Sequence, residues 1–435
     1  MCNHLIKRTG MQEHPEAKND IFIQIAAYRD PQLLPTLKDC IEKARYPENL
    51  RFGIAWQHAS EDSWDHLDEY KNNKNFKIID IKHDESKGVC WARNQVQQLY
   101  NNEKYTLQLD SHHRFVDGWD VILMEMLNSL QQNGYPKPLI TSYIPSFHPD
   151  NDPAARIMIP WKLTFDRFIP EGAVFFLPAS FDEKKGDDLS QPMLGRFYSA
   201  HFAFSIGDFA KEVKHDPNYY FHGEEISIAA RAFTHGYDIF YPHKVIAWHE
   251  YTRRGRTKHW DDHKKWWETN TESHLRNRKL FGMDNEVQDV DFGEYGFGNK
   301  RTLREYEKFA GVDFSKRKVT KDVLDHSLPK FENMLVSDED FAASLVNRFR
   351  HCIDIQYKQV PETDYDIWAV AFKDKDGNEI YREDASSMEI ERMKKDPDGY
   401  CKIWRTFEPK TTPNSWIVWP HSVSKGWADP IVGKI

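Results

Sequence analysis

No run of about 18 apolar residues occurs anywhere in the 435-residue sequence, so no segment is expected to cross a membrane. The opening stretch, MCNHLIKRTGMQEHPEAKND, has no apolar core of signal-peptide length. Cysteine is scarce. Cys2, Cys40, Cys90, Cys352 and Cys401 lie far apart with no C-x-x-C pair, and an odd count argues against a complete disulfide framework. N-x-[ST] acceptor sites are missing as well. Together these absences lead to the expectation of a cytoplasmic protein. An excess of positive charge is also missing: the net charge is −9, so neither nucleic acid nor an anionic membrane is expected as a partner.

Several catalytic signatures are absent too. There is no H-E-x-x-H, no G-x-S-x-G and no P-loop. The glycines of DFGEYGFGNK do not have the G-x-G-x-x-G spacing of a dinucleotide site. KDKDGNE contains only a fragment of a calcium loop and reads better as a hairpin turn.

What is present describes a folded chain. Apolar residues make up 40% and charged residues 29%, with both signs mixed, and the length suits two or three domains. Residues 1–20 read as a polar tail. IFIQIAAY, RFGIAWQ, FKIIDIK and YTLQLD then read as buried strands, with helical spacing after Pro31 (Leu33, Leu37, Cys40, Ile41, Ala44) and in GVCWARNQVQQLY. Alternating strands and helices predict an α/β fold with a Rossmann-like parallel sheet, in which ligands bind beyond the carboxyl ends of the strands. From about residue 319 the pattern changes: IDIQYKQV, DIWAVAFKD, NEIYRE, YCKIWRTF and SWIVWP alternate apolar and polar residues. These predict a small antiparallel β domain over 319–435, after a larger domain over 21–318.

Four stretches carry candidate chemistry. In LQLDSHHRF, Asp110 and His112 are two residues apart at a strand end and point to one side, offering an oxygen and a nitrogen to a divalent cation. That mixed set suits Mn²⁺ better than Mg²⁺. Asp, Ser and His are also common where strands become loops, so the pair alone does not separate these readings. His113 faces the other way and is expected to support the site from behind or to be exposed. In WHEYTRRGR, His249 precedes Tyr251, Arg253, Arg254 and Arg256, a set that suits a diphosphate held by a cation and forked donors, or simply a solvated basic loop. In FHGEEISIAARAFTHG, Glu224 and Glu225 open an amphipathic helix, either as substrate-facing acceptors or as caps favoured by the macrodipole. In KGVCWARN, Arg93 lies near enough to the Asp110 strand to reach the same crevice.

The order of IAAYRD, KGVCWARN, LQLDSHHRF, SAHFAFS, FHGEEISIAARAFTHGYDIFYP, a late histidine and NKRTLREYEKFAGVDF resembles the GlcNAc-transferase family of GT-A glycosyltransferases over roughly residues 20 to 318. That family includes cytoplasmic enzymes that place α-GlcNAc on hydroxyproline of a polypeptide. More distantly, the order is similar to that of the polypeptide N-acetylgalactosaminyltransferases. The resemblance implies a GT-A domain with Asp110, His112 and His249 as ligands to Mn²⁺, with Mg²⁺ as the alternative ion. It also implies a UDP-sugar donor held by the backbone around Ala27 and Tyr28, together with Arg29, Arg93, Ser111, Tyr251, Arg253 and Arg254. Glu224 and Glu225 would face the sugar and the acceptor. The N-acetylgalactosaminyltransferase pattern has Gly-Gly-Glu, whereas here His222 precedes Gly223.

The implied reaction moves a sugar, GlcNAc on family grounds, from a UDP-sugar to a protein or glycan hydroxyl with retention of configuration. No nucleophilic carboxylate is evident, which favours same-face attack with the departing phosphate oxygen taking the acceptor's proton. Two other readings of the residues remain: a metal-dependent hydrolase using the same three ligands, and a non-catalytic carbohydrate-binding protein, suggested by 14 tryptophans and the appended β domain.

Overall fold

The computed structural model describes residues 19–185, 187–253, 255–286, 289–396, 398–409 and 411–435. Most of the expected tail, and Arg254, lie outside the described residues.

The first half of the chain alternates as the apolar pattern predicts. β1 (Ile21–Tyr28), α1 (Leu33–Lys43), β2 (Leu50–His58), the short α2 (Asp68–Lys71), β3 (Phe76–Lys82), α3 (Val89–Gln97), β4 (Tyr105–Leu109), β5 (His113–Phe115), α4 (Trp119–Gln132) and β6 (Pro138–Thr141) follow in order. β7 (Trp161–Phe168) and β8 (Val174–Ser180) form a hairpin, followed by β9 (Met193–Leu194) and β10 (Phe202–Ile206). Next come α5 (Phe209–Glu212), α6 (Glu224–Thr234), β11 (Asp238–Tyr241), β12 (Ala247–His249), α7 (His259–Asp262), α8 (Trp266–Phe281) and α9 (Leu303–Ala310).

The central sheet has eight strands in the order β3-β2-β1-β4-β10-β6-β11-β9. β3, β2, β1 and β4 run parallel, as expected from the first third of the chain, while β10 is antiparallel to both β4 and β6, so the sheet as a whole is mixed. A buried strand is apolar on both faces whatever its direction, so the sequence pattern carries no sign of this reversal. One core, centred on Ile23, Ile25, Leu107 and Leu109, packs α1 and α4 on the sheet; a second, around Ile226, Ala230, Phe233 and Phe309, buries α6 and α9.

β13 (Val312–Asp313), β14 (Lys318–Thr320) and β15 (Leu345–Val346) make a small sheet whose Val319 belongs to the second core. Beyond it, β16 (Phe349–Gln356) pairs with β18 (Tyr400–Phe407), and β17 (Tyr365–Lys373) pairs with β19 (Ser415–Ser422), both antiparallel. A third core made from residues 353–418, with Trp368 at its centre, lies among them. This segment touches the rest of the chain where Arg350 pairs with Asp166 near the end of β7, and where Trp404 packs against Arg167.

Candidate functional site

Ile25 pairs with Leu109, so Asp110 leaves the sheet beside the last residues of β1. The next turn is fixed by His113, whose Nδ1–H donates to the Asp110 carbonyl at 2.9 Å. β5 then pairs antiparallel with β12, with His113 opposite His249, and this carries His249 across to the Asp110 turn. Residues 139 positions apart in sequence thereby meet: His249 Nε2 is 3.3 Å and His112 Nε2 is 3.7 Å from Asp110 Oδ2. Two donors that each lie about 2 Å from a shared ion are separated by up to roughly 4 Å, so the three side chains fit a divalent cation. The three donor atoms all lie within 4.8 Å of one another, a cluster that could hold a metal ion.

Each carboxylate oxygen of Asp110 has its own task. Oδ1 accepts from Arg93 Nη2 at 2.5 Å, leaving Oδ2 turned to the histidines. Burial alone would raise the Asp110 carboxyl, but the Arg93 guanidinium and the two histidines outweigh it and hold it well below the usual carboxylate range. Arg93 Nη1 reaches Glu224 at 2.8 and 2.9 Å. Burial pushes Glu224 up as well, yet Arg93 and His215 bring it down to about 2.

Glu225, the next residue, behaves in the opposite way. Its oxygens meet the Ala200 N–H at 2.9 Å and the Tyr143 hydroxyl at 2.8 Å, and burial raises it to about 7 despite those bonds. Both glutamates start α6, whose preceding residue Gly223 has φ +95°, and both face a cavity of about 530 Å³. Asp30, Arg93, Asp110, His112, His249, Tyr251 and Arg253 also line that cavity, with Phe221, His222 and Trp260 among the rings around it. A larger cavity of about 960 Å³ beyond His259, lined by Lys87, Trp266 and Arg276, contains none of the three metal donors.

Among the residues expected to hold a donor, Tyr28, Ser111, Tyr251 and Arg253 line the smaller cavity together with Arg93. The Tyr251 hydroxyl donates to the Ile144 carbonyl, and Arg253 lies over the Phe221 and Trp260 rings. Ala27 is buried, its carbonyl taken by the Gln57 side chain, and its neighbours Ala26 and Tyr28 line the cavity instead. Arg29 does not line that cavity: its guanidinium turns to Asp62 at 2.6 Å and Asp262 at 3.1 Å. Arg254 lies outside the described residues.

Of the two places expected for His113, behind the site or exposed, the structure shows the first. The residue is 0% exposed, and burial keeps its imidazole neutral, well below the usual histidine range. It packs edge-on to His249.

Sequence reasoning missed four neighbours of the site. His201 stacks on His249 with ring centroids 4.2 Å apart. Tyr143 holds Glu225. Asp30 contacts His112 Nδ1 at 2.7 Å. The fourth, Arg256, was read only as one of several basic residues; it bridges Asp30 at 3.0 Å and Glu250 at 2.7 Å and so is tied on both sides. Asp30 alone had a signal: an acid just beyond the carboxyl end of a predicted strand.

Residues 20–76 and 64–316 match the model of the family described as Glycosyltransferase (GlcNAc). No curated protein matches the chain. Among solved structures, GalNAc-T7 with UDP, GalNAc and Mn²⁺ is 12% identical with a TM-score of 0.45, covering 71% of this chain and 58% of that one. The present chain therefore spans little more than half of the GalNAc-T7 chain. S. aureus TarS 1–349 in complex with UDP-GlcNAc is 11% identical with a TM-score of 0.37, covering 66% and 70%. The mannosyltransferase PcManGT from Pyrobaculum calidifontis, in complex with GDP-Man and Mn²⁺, is 11% identical with a TM-score of 0.36, covering 66% and 69%. On the family match over most of its length, this chain belongs to the GlcNAc glycosyltransferase family.

Proposed function

We propose that the chain is a divalent-metal-dependent, retaining transferase that moves GlcNAc from UDP-GlcNAc to a hydroxyl on a polypeptide. The observation that carries this reading is the meeting, in one cavity at the carboxyl ends of β1 and β4, of the Asp110–His112–His249 donor set with Arg253, Glu224 and Glu225. Asp110, His112 and His249 would hold Mn²⁺. When bound, such an ion supplies positive charge against the leaving diphosphate.

The protein's own residues account for the rest. Arg253, on the cavity wall, offers guanidinium donors to the diphosphate as negative charge develops there. Both terminal nitrogens of Arg93 are engaged, Nη2 by Asp110 and Nη1 by Glu224, so its part is to keep both carboxylates ionised and fixed in place. Glu225, held by Tyr143 and Ala200, orients hydroxyls of the sugar or the acceptor. Glu224 is tied to Arg93 and His215, and Glu225 to its two donors, so neither is poised as a covalent nucleophile and retention by double displacement is disfavoured. Attack on the same face as departure, with a leaving phosphate oxygen accepting the acceptor proton, meets that constraint.

The division of the chain into a transferase unit and a C-terminal accessory β unit belongs to the same reading. The packing of Val319 and Val323 into the second core favours a boundary after Val346 over one after residue 318.

The test is UDP release across a panel of nucleotide sugars with Mn²⁺, using hydroxyl-bearing peptides as acceptors. UDP-GlcNAc should be turned over, and Asp110→Ala should abolish turnover and weaken Mn²⁺-dependent UDP binding. An Asp110→Ala protein with normal turnover refutes the assignment.

A further inference from the structure

The C-terminal β unit has a core of its own, yet one of its tryptophans points away from that core. β16 and β18 pair with Cys352 opposite Trp404 and Ile353 opposite Ile403. Ile353, Ile355, Cys401 and Ile403 belong to the third core, so strand alternation puts Arg350, Cys352 and Trp404 on the opposite face. Trp404 is 40% exposed there, and the side chain it meets is Arg167 of β7, whose guanidinium carbon lies 5.3 Å from the ring centroid.

Arg167 reaches that position because of a bulge. In the β7–β8 hairpin Phe165 pairs with Phe176 but Arg167 pairs with Phe175, which leaves Asp166 as the extra residue. Regular pairing would set Asp166 against Phe175. The bulge sets Arg167 there instead, on the same face, with its guanidinium carbon 4.8 Å from the Phe175 centroid. The displaced Asp166 is 3% exposed, and its carboxylate is met by Arg167 and by Arg350 from β16. Arg167 is thus shared between a ring of the C-terminal unit and a ring of the hairpin.

Phe175 lines the cavity that contains the three metal donors. From it a run of contacts continues along the cavity wall. His222 follows at 4.6 Å between ring centroids, and Phe221 lies 4.9 Å from His222. Arg253 then lies over the Phe221 ring at 5.4 Å.

We infer that Trp404 is a positioning residue for this cavity. Through Arg167 it fixes Phe175 and the His222–Phe221 wall on which Arg253 rests, so the C-terminal β unit helps to hold the guanidinium that meets the diphosphate. The proposal rests on the reading of the cavity as a UDP-sugar site. A guanidinium is held over a ring face by the ring quadrupole, so each member of the run limits where its neighbour settles.

The experiment measures UDP binding in the presence of Mn²⁺ to the full-length protein by isothermal titration calorimetry, with urea unfolding as the check on folding. Trp404→Leu removes the aromatic face and keeps apolar bulk. It should weaken UDP binding about two- to fivefold, the equivalent of one exposed cation–π contact. Trp404→Tyr supplies a face again and should bind UDP as the wild type does. Arg253→Met binds more weakly by itself, and adding Trp404→Leu to it should make no further difference, because the two residues act on one contact. Wild-type affinity in Trp404→Leu overturns the proposal, and so does an equal weakening with and without Arg253. If Trp404→Leu does not fold, Arg167→Lys takes its place: it keeps the charge and loses the planar group shared by the two rings. Wild-type UDP affinity in that variant overturns the proposal equally. A wild-type protein that takes up no UDP with Mn²⁺ overturns the cavity reading itself, and that outcome is seen before any substitution is made.

Discussion

Glu225→Gln should alter how stability depends on pH. The Glu225 carboxyl is raised from 4.5 to about 7, first by burial and further by the adjacent Glu224 charge, against the hydrogen bonds from Ala200 and Tyr143. At about 1.4 kcal/mol per pH unit, that difference corresponds to at most about 3 kcal/mol. One side of the carboxyl faces the cavity, whose water offsets part of the cost and leaves about 1–3 kcal/mol. The sign follows from linkage. Below pH 4.5 the group is protonated in both folded and unfolded chains, and its full stabilising contribution is present. Between 4.5 and about 7 the unfolded chain loses the proton while the folded one retains it, so stability falls; above about 7 the loss is complete. Glutamine mimics the protonated acid, accepting from Ala200 and donating to Tyr143, and has no proton to lose. Urea unfolding followed by tryptophan fluorescence from pH 4.5 to 8.5 should give a stability difference, variant minus wild type, that climbs by about 1–3 kcal/mol and levels off above pH 7. A difference that stays flat, or that falls with pH, would refute the account of Glu225 as a carboxyl held protonated by its surroundings.

Other outcomes follow from the same geometry. Arg93→Met leaves Asp110 and Glu224 without their shared cation and should destabilise the fold by about 3–5 kcal/mol at pH 7.5. Protonation of the stranded carboxylates at pH 4 should shrink that loss, and an equal loss at both pH values would count against the electrostatic explanation. UDP with Mn²⁺ at about 100 times the dissociation constant should add about 2.7 kcal/mol of stability to the wild type, read as a rise in Tm that EDTA removes. His249→Ala should show no such rise. Gly223→Ala forces a Cβ into φ +95° and to 3.0 Å from Asn277 Cγ, at the start of the helix that carries both glutamates. It should cost about 1–3 kcal/mol in urea unfolding, and a change below about 0.5 kcal/mol would mean that the turn relaxes freely.

Much of the molecule was legible in the residues alone, and the parts that were not share a physical cause. Apolar periodicity located β1 to β4 and the helices between them, because burial requires the same residue types wherever the strand lies in the sheet. It also marked the antiparallel strands of residues 349–435, where one face is wet and alternation results. The order of motifs named Asp110, His112 and His249, since metal chemistry needs particular side chains and a strand end leaves them unpaired. Tertiary structure alone decided which partners those side chains have. The reversal of β10 brings Ala200 and His201 beside the site, and nothing local in SAHFAFSIG encodes its direction. Arg93 reads as a diphosphate binder by type, yet two carboxylates brought in from β4 and α6 claim it first. His113, the second histidine of an exposed-looking turn, is sealed in because β12 pairs across it and covers the ring. The sequence determines what each side chain is able to donate, accept or bury; only the folded chain determines which neighbours compete for it, because hydrogen-bond and ion-pair partners are settled by distances of a few ångströms between residues far apart in sequence.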